Sequence, residues 1–455
     1  MLKIYDSTDK TVKEFIPLLP GKVGLYYCGA TVQGRPHIGH LRSALSFDVI
    51  RRWLTHLGYK VDVIRNVTDI DDKILSKSAE SFKHDFVPGS DYLPKEDWQA
   101  LAYRFENMFR DDYRTLNILP PTYEPRVTGN IPEILVFIGN LMEQGYAYAP
   151  GNGDVYFDNA AFTGVKGILR PGEQTSEFKK DVSDFALWKS AKEDDPENAS
   201  WSSPWGKGRP GWHIECSALA LKYLGREFDI HGGGTDLAVP HHANEKAQSN
   251  AAGHGFAQYW MHNGSVTVKG EKMSKSIGNT VSLETLLEAD GLSRDEARYY
   301  LLATHYRSGL DYSSVASQAA AKGYQRIIEF IEEAKGEYSS SPLPHGFIDA
   351  MNEDFNTVAG FAELHSLTKT GQGLLRAGSI REAKAIADSI VSAFGILGLS
   401  HTAEKTEESP NLNKLIYQLS GLRDSLRKEK NWSASDAIRD ILTESGFGVH
   451  DDVLK

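Results

Sequence analysis

Cysteine is scarce in this sequence. The chain of 455 residues contains two, Cys28 and Cys216, which is too few for the disulfide framework of a small secreted scaffold. A pair of inert buried thiols is one interpretation. The other, which we favour, is a reduced cytoplasmic protein that keeps its thiols for a metal or for chemistry. The neighbours of the two cysteines decide between these interpretations.

Long apolar runs are also missing. No stretch approaches the ~18 apolar residues of a membrane-spanning helix, and the first residues lack the apolar core and cleavage site of a secretory signal. We therefore expect no membrane partner. Positive charge is in deficit, because 50 Lys and Arg stand against 61 Asp and Glu, a formal net charge of -11. This negative net charge gives no support for nucleic-acid binding. A protein with such a net charge can still carry a local basic surface that binds nucleic acid.

The hydrophobic patterns predict an α/β protein. Residues 23–27 have a buried-strand pattern, apolar residues recur at four-residue steps from 38 to 57, and residues 61–67 have a second strand pattern. Gly58 is a natural C-terminal stop for the helix between them. Strand, helix and strand in this order form a βαβ unit, which predicts a Rossmann-type parallel sheet that binds a nucleotide.

Changes in composition along the chain predict three parts. Residues 1–310 are expected to form the α/β catalytic domain, with an inserted segment at about 95–200. Residues 315–400 are expected to form a helical bundle. After a hydrophilic linker, residues 411–455 are expected to form a small separate unit.

The first chemistry-bearing motif is Pro-His-Ile-Gly-His at 36–40, where the predicted helix begins. The unpaired N–H groups of a helix start attract phosphate. His37 and His40 are three residues apart and project to the same side, from which they could donate hydrogen bonds to phosphate oxygens. Gly39 leaves room for a base or ribose against the backbone. Two histidines near a helix start also occur by chance, so this motif alone decides nothing.

The second motif is Lys-Met-Ser-Lys-Ser at 272–276. Lys272 and Lys275 on a mobile loop could neutralise a triphosphate and its pyrophosphate leaving group. A solvated basic loop is the ordinary alternative.

Together, and in this order, the two motifs resemble those of the class I aminoacyl-tRNA synthetases. The resemblance implies that an amino acid is activated with ATP, accompanied by Mg²⁺, and is then transferred to the 3′ end of tRNA. It implies that the two motifs hold ATP and that Lys275 contacts it. The inserted segment resembles the connective insertion of that family.

The two cysteines lie in segments that hold further metal-ligand candidates. If the segment 240–245 is helical, its His241 and Glu245 are one turn apart on one face. Two thiolates, an imidazole and a carboxylate form a donor set that zinc accepts. The four residues of this set are Cys28, Cys216, His241 and Glu245. From the residues alone, His231 or His242 could supply the imidazole instead of His241.

The surrounding segments resemble the cysteinyl-tRNA synthetases over essentially the whole chain. The segments that carry the resemblance are Cys-Gly-Ala-Thr-Val at 28–32, Asn-Val-Thr-Asp-Ile-Asp-Asp-Lys at 66–73, Gly-Arg-Pro-Gly-Trp-His-Ile-Glu-Cys at 208–216, Phe-Asp-Ile-His-Gly-Gly-Gly at 228–234 and Asp-Phe-Asn-Thr at 354–357. The resemblance implies that zinc binds the thiolate of L-cysteine and that tRNA(Cys) is the acceptor. It assigns the zinc ligands to the four residues above. It assigns to the substrate pocket Gly29, Thr31, Thr68, Trp212, His231 and Asp236. Ala243 departs from the family, which usually has Glu there, so a supporting carboxylate is missing.

The helical region and the C-terminal unit resemble the tRNA stem-binding bundle and the anticodon-binding unit of the family. In the C-terminal unit, cations, an exposed ring and a carboxylate are suited to unpaired bases. The predicted tRNA contacts are Arg427, Trp432 and Asp436. The alternative is a solvated helix face with one packed tryptophan.

A related ligase of mycothiol biosynthesis, which joins cysteine to glucosaminyl-inositol, is the alternative function. It shares the ATP motifs and the zinc residues but lacks the extended C-terminal region, so residues 411–455 favour the synthetase. The resemblance also implies a monomer.

Overall fold

The computed structural model of the chain describes residues 1–83, 93–164, 176–273, 278–337 and 341–401, together with 419, 422–423, 426–427 and 431–444. The chain divides into two units, Met1–His401 and Thr402–Lys455. Lys275 lies outside the described residues.

The described strands, in chain order, are β1 (Lys3–Asp6), β2 (Thr11–Glu14), β3 (Lys22–Tyr27), β4 (Lys60–Arg65), β5 (Ala147–Tyr148), β6 (Val155–Phe157), β7 (Phe185–Ser190), β8 (Gly208–Pro210), β9 (Glu227–Gly234), β10 (Phe256–Asn263), β11 (Val266–Val268), β12 (Glu271–Lys272) and β13 (Leu310–Tyr312). The described α-helices are α1 (Ile38–His56), α2 (Asp72–Ser81), α3 (Trp98–Thr115), α4 (Ile131–Glu143), α5 (Trp212–Leu224), α6 (Ala243–Ala251), α7 (Arg294–Leu302), α8 (Ser314–Glu333), α9 (His345–Asn352), α10 (Thr357–Arg376), α11 (Ile380–Leu397) and α12 (Trp432–Glu444).

Four parallel strands form the central sheet of the first unit, in the order β10-β9-β3-β4. α1 is the crossover from β3 to β4, so the predicted βαβ unit and the α/β class are confirmed. Val23, Leu25, Val63 and Ile230 are buried, because a parallel sheet is covered on both faces and its strands are apolar almost throughout.

α1 follows the predicted pattern closely. Leu41, Leu45 and Trp53 are fully buried, as expected for residues that recur every four positions on one helix face. The side chain of His37 caps the first turn, where it accepts a hydrogen bond from the backbone. Gly58 has φ +92° just after the end of the helix, a left-handed conformation that favours glycine.

The inserted segment carries a second, antiparallel sheet with the order β5-β6-β7-β8. Residues 154–157 have a short strand pattern that predicts β6. β5 and β8 show no such pattern, because they are too short to show a period and β8 ends in Pro210. The sheet extends to Pro210, beyond the approximate limit of residue 200 in the sequence pattern.

A third, small sheet, with the order β12-β11-β13, carries the first lysine of the Lys-Met-Ser-Lys-Ser motif. From Ser314 to the end of the first unit, all described elements are helices, with α10 packed against α9 and α11. None of the described helices is both long and apolar enough to cross a membrane. In the second unit, α12 buries Ser435 and Leu442 and leaves Trp432 56% exposed.

A fully buried ion pair connects α7 to distant parts of the first unit. Arg298 donates to Asp48 Oδ2 of α1 at 2.5 Å, to the Leu116 carbonyl at 2.5 Å and to the Leu397 carbonyl at 2.7 Å. The backbone N–H of Leu119 donates to Asp48 Oδ1. One guanidinium therefore satisfies groups at the ends of α3 and α11 as well as the α1 carboxylate.

We expect Arg298→Met to lower the free energy of unfolding by about 3 kcal/mol, because it leaves a buried carboxylate short of one cation and two carbonyls without donors. Urea unfolding measures this. Arg294→Met, at an exposed position on the same helix, is the matched control and should change stability by no more than about 0.5 kcal/mol. Equal midpoints for the two variants would show that the buried ion pair is not a net source of stability.

Candidate metal and nucleotide site

A cavity of about 290 Å³ opens where the central strands end. Cys28 and Asn66 directly follow β3 and β4, Gly234 ends β9, Asn263 ends β10, and all four line the cavity. Carboxyl ends of parallel strands share one edge of a sheet, which is where ligands of this fold class bind. The sheet thus brings residues from distant parts of the sequence to one place.

Four buried side chains meet beside this cavity, and three of them line it: Cys28, Cys216 and His241. Cys28 Sγ lies 3.7 Å from Cys216 Sγ and 3.6 Å from Glu245 Oε1. His241 Nε2 lies 3.6 Å from Cys216 Sγ and 3.0 Å from Glu245 Oε1. These are the four predicted ligands, and their donor atoms lie within 4.8 Å of one another. The group could therefore hold a metal ion.

The distances fit one tetrahedral ion. With sulfur at about 2.3 Å and nitrogen or oxygen at about 2.1 Å from an ion, tetrahedral geometry separates two sulfurs by about 3.8 Å and sulfur from nitrogen or oxygen by about 3.6 Å. The sulfur pair is 3.7 Å apart, and the mixed pairs Cys28–Glu245 and Cys216–His241 are each 3.6 Å apart. His241 Nε2 and Glu245 Oε1, at 3.0 Å, are closer than the ~3.4 Å of the ideal geometry. Three of these four separations match those that a tetrahedral ion requires.

A second group shares two of these side chains. It consists of Cys28, His231, His242 and Glu245. Here the distances scatter more widely: Cys28 Sγ is 3.9 Å from His231 Nε2 and 3.3 Å from His242 Nε2, and Glu245 lies 3.1 Å and 4.0 Å from the two rings. This group fits a tetrahedral ion less well and has one sulfur fewer.

Two further histidines contact the rings of the candidate ligand histidines. His213 Nδ1 lies 2.9 Å from His241 Nδ1, and His262 Nε2 lies 2.7 Å from His242 Nδ1. The ring of Trp212 stacks on His241 with centroids 4.2 Å apart. A partner on the second ring nitrogen orients a ligand imidazole. The sequence analysis missed His213 and His262. The sequence held a signal for His213, because its spacing of three residues from Cys216 places both on one face of α5.

Burial disfavours the charged form of each side chain in the cluster. It raises the pKa of the Cys28 thiol well above its usual value and that of Cys216 as well. It also raises the pKa of Glu245 and holds the pKa of His241 well below its usual value. A cation that enters must displace the thiol protons, so acid weakens metal binding.

Two glycines allow the close approaches that form this wall. A Cβ on Gly29 would lie 1.7 Å from the Asn66 carbonyl oxygen, and one on Gly211 would lie 2.0 Å from the Ala186 carbonyl oxygen. Gly29 N also donates to Asn66 Oδ1 at 2.8 Å. The first contact joins the ends of β3 and β4, and the second seats the start of α5 on β7 of the insertion.

His37, Gly39 and His40 of the nucleotide motif also line the cavity. Gly39 N donates to His37 Nδ1 and His37 N donates to His40 Nδ1, both at 3.2 Å, and the two rings stack with centroids 3.7 Å apart. Because each Nδ1 accepts a hydrogen bond, the neutral rings carry their proton on Nε2. The helix start therefore orients two imidazole donors, as its spacing predicted.

Lys272 is the second cationic element on this side. Its Nζ lies 3.1 Å from Asp236 Oδ2, and both side chains are exposed. Both residues line the cavity together with Met273, whose Cε would lie 3.2 Å from a Cβ on Gly39. The glycine therefore lets Met273 pack against the helix start.

Not all predicted pocket residues reach the cavity wall. Gly29, Thr31, Trp212 and Asp236 line it. Thr68 and His231 do not, because both are buried by neighbouring elements. Thr68 donates to Glu215 Oε2 at 2.9 Å, and His231 Nε2 lies 3.1 Å from Glu245 Oε2. Their assignment to the substrate pocket stays a prediction, and in the structure each contacts a buried carboxylate.

The predicted tRNA residues lie in the second unit. Trp432 and Asp436 are exposed and one turn apart on α12. Asp436 forms an ion pair with Arg439 at 3.0 Å, so its carboxylate already has a partner. Arg427 is exposed.

Comparisons with known proteins agree with this architecture. The model of the tRNA synthetases class I (C) catalytic domain matches residues 14–322, and a DALR domain model matches residues 346–401. The cysteine–tRNA ligases of Arthrobacter sp. (strain FB24) and Pseudarthrobacter chlorophenolicus are each 48% identical to this chain over 99% of its length, covering 98% and 97% of their own. The chain belongs to the cysteine–tRNA ligase family. The family is one of class I synthetases, so ligase chemistry with ATP and tRNA follows.

Solved structures of other class I synthetases have the same fold. The methionyl-tRNA synthetase of Mycobacterium tuberculosis, bound by methionyl-adenylate, superimposes with a TM-score of 0.52 at 17% identity, covering 83% of this chain and 82% of its own. The arginyl-tRNA synthetase of Thermus thermophilus gives 0.52 at 14% identity, covering 86% and 83%. In the present chain, the catalytic-domain match contains the whole cavity and the DALR match contains α10 and α11.

Proposed function

We propose that this chain activates L-cysteine with ATP and transfers it to the 3′ end of tRNA(Cys), and that a zinc ion selects the substrate by its thiol. The observation that carries the proposal is the meeting of Cys28 and Cys216 at 3.7 Å in the wall of a cavity that also holds the nucleotide motif. The activity is proposed to take place in the cytoplasm, where ATP and tRNA are available.

The donor set Cys28, Cys216, His241 and Glu245 holds the zinc in this proposal. Bound there, zinc supplies a soft Lewis acid that favours a thiolate and lowers the pKa of a thiol. Trp212, stacked on His241, closes the substrate side, and Thr31 and Asp236 lie near the amino-acid group. Ala243 stands where the family usually has Glu and is not part of the donor set.

The proposal for ATP rests on the helix start. His37 and His40 present Nε2–H donors where charge develops on the α-phosphate. Gly39 allows the close approach of the base or ribose, and Lys272 and Lys275 neutralise the phosphates together with an accompanying Mg²⁺. Lys272 must leave Asp236 to do this, which fits a loop that closes on ATP.

We propose that residues 1–310 form the catalytic part with its insertion, that residues 315–400 bind the tRNA stem, and that residues 411–455 bind the anticodon. Trp432 supports the last assignment, because it is 56% exposed and an exposed ring is suited to stacking on an unpaired base. Arg427 and Asp436 are its proposed companions. The active form is proposed to be the monomer, since one chain supplies every named residue.

The metal should give a large ratio of kcat/KM for cysteine to kcat/KM for serine. A pocket that senses only size separates two such substrates by roughly 10- to 200-fold, whereas a site built to bind a particular group separates them by ~10⁴-fold or more. We expect kcat/KM for cysteine in ATP–pyrophosphate exchange to exceed that for serine by at least ~10⁴-fold. We also expect no hydrolysis of seryl-adenylate beyond its spontaneous rate. Rapid hydrolysis would mean that selection depends on editing.

The function is tested by cysteine-dependent ATP–pyrophosphate exchange followed by charging of tRNA(Cys). The expected result is exchange and charging with the same protein. The alternative, a mycothiol-pathway ligase, would give exchange without charging and would transfer cysteine to glucosaminyl-inositol. The match of the chain to 98% of the length of a cysteine–tRNA ligase supports the first outcome.

A further inference from the structure

Three cationic side chains line the cavity among the described residues: Arg65, Lys73 and Lys272. Two of them have a carboxylate partner. Arg65 pairs with Glu124 at 2.5 Å and is almost fully buried, and Lys272 pairs with Asp236 at 3.1 Å. The ammonium of Lys73 forms no ion pair or hydrogen bond with the described part of the chain, and the residue is exposed. The Lys73 ammonium is therefore available to bind an anionic ligand in this cavity.

The backbone of Lys73 is held firmly although its side chain is not. Lys73 N donates to Oδ1 of Asp71, the residue that caps α2, at 2.8 Å. The neighbouring Asp72 does not neutralise Lys73, because its carboxylate accepts from Lys189 at 2.7 Å and from Arg209 at 2.6 Å. Those two cations belong to β7 and β8 of the insertion. Lys73 therefore stands where the insertion meets the cavity, on a fixed backbone.

We propose that Lys73 binds a phosphate group of a nucleotide in the cavity. The inference rests on the proposed function, which supplies two sources of that chemistry: the triphosphate of ATP and the phosphodiester that precedes the 3′-terminal nucleotide of tRNA. The RNA phosphate is favoured, because His37, His40 and Lys272 already serve the ATP side, while Asp72 joins the start of α2 to the insertion. A lysine is suited to this task as a compact point charge.

The test compares three variants of the full-length protein. Lys73→Met removes the charge and keeps an apolar stem. Lys73→Arg keeps the charge. Lys83→Met removes one positive charge just beyond α2, at a residue that pairs with Glu80 and does not line the cavity. Each is assayed for metal content, for KM of ATP and of cysteine in pyrophosphate exchange, and for kcat/KM of tRNA in charging.

We expect Lys73→Met to lower kcat/KM for tRNA by roughly 10- to 100-fold, the loss of one charge-assisted phosphate contact, with exchange unchanged. Lys73→Arg should recover most of this activity, and Lys83→Met should match the wild type. A rise in KM for ATP in exchange would support the phosphate contact and assign it to ATP. Unchanged ATP and tRNA parameters, or a change confined to KM for cysteine, would overturn the proposal. The proposed function fails separately, if the wild type itself shows no exchange or no charging.

Discussion

The Cys216→Ser variant is expected to contain no bound metal. Its rate of cysteine-dependent pyrophosphate exchange is expected to fall by at least ~10³-fold at the same time. The hydroxyl of serine does not ionise as a thiol does, and it is a hard donor in place of a soft one. The donor set would retain one sulfur, from Cys28. Since removal of one ligand leaves the others buried without their cation, affinity should fall steeply. Metal content by elemental analysis and exchange activity are the two measurements.

A histidine pair supplies the matched control for this experiment. His241 and His242 are adjacent and buried, and each belongs to one of the two possible donor groups. His241→Asn should lose the metal as Cys216→Ser does, whereas His242→Asn should retain it with an affinity reduced by about 10- to 100-fold. The reverse pattern would mean that the second donor group is the metal site. Full exchange activity in metal-free Cys216→Ser would disprove selection by zinc.

His40→Asn is expected to reduce the rate of adenylate formation by roughly 10²- to 10³-fold, the usual effect of removing one hydrogen-bond donor from a developing charge. The asparagine oxygen can still accept from His37 N, so the helix start is preserved while the Nε2–H donor is lost. Metal content should stay unchanged, because His40 belongs to neither donor group. Single-turnover formation of cysteinyl-adenylate measures the effect.

His56→Ala is the control for that variant. His56 ends the same helix, is exposed, and stacks on Trp53 with centroids 5.0 Å apart. It should reduce adenylate formation less than twofold. If His40→Asn also left the rate unchanged, the hydrogen bonds of the helix start would serve only as a cap, and ATP would be stabilised by other residues.

The parts of this site that the sequence revealed are those with local signals. α1 and the ends of β3 and β4 follow from periodicity over neighbouring residues. The pairing of His241 with Glu245 follows from i, i+4 spacing. In the structure these two side chains lie 3.0 Å apart, although His241 belongs to the π-helical segment Ala238–His242 and Glu245 to α6. The family resemblance then supplied the joining of this pair to the two cysteines.

What the sequence could not reveal depends on long-range contacts. His231 and His242 lie near the sulfur of Cys28, and His241 lies near the sulfur of Cys216. Only the measured distances show which of the two donor groups fits a tetrahedral ion better. His262 reaches the cluster through the parallel pairing of β9 and β10, which no local pattern encodes. The short strands of the insertion are stabilised by pairing with one another. Their order could not be predicted from the sequence, because it depends on these pairings and not on local propensity. Lys73 has no local sequence signal, and its place in the cavity wall is visible only in the structure.

The central claim is that the metal of the donor set recognises the sulfur of the substrate. Cobalt substitution tests it most directly, because cobalt reports thiolate ligands by charge-transfer absorption and accepts the same donors as zinc. We expect L-cysteine to increase that absorption by roughly half, as a third thiolate joins the two of the protein, and L-serine at the same concentration to leave it unchanged. An unchanged spectrum while cysteine is bound and activated would contradict the claim.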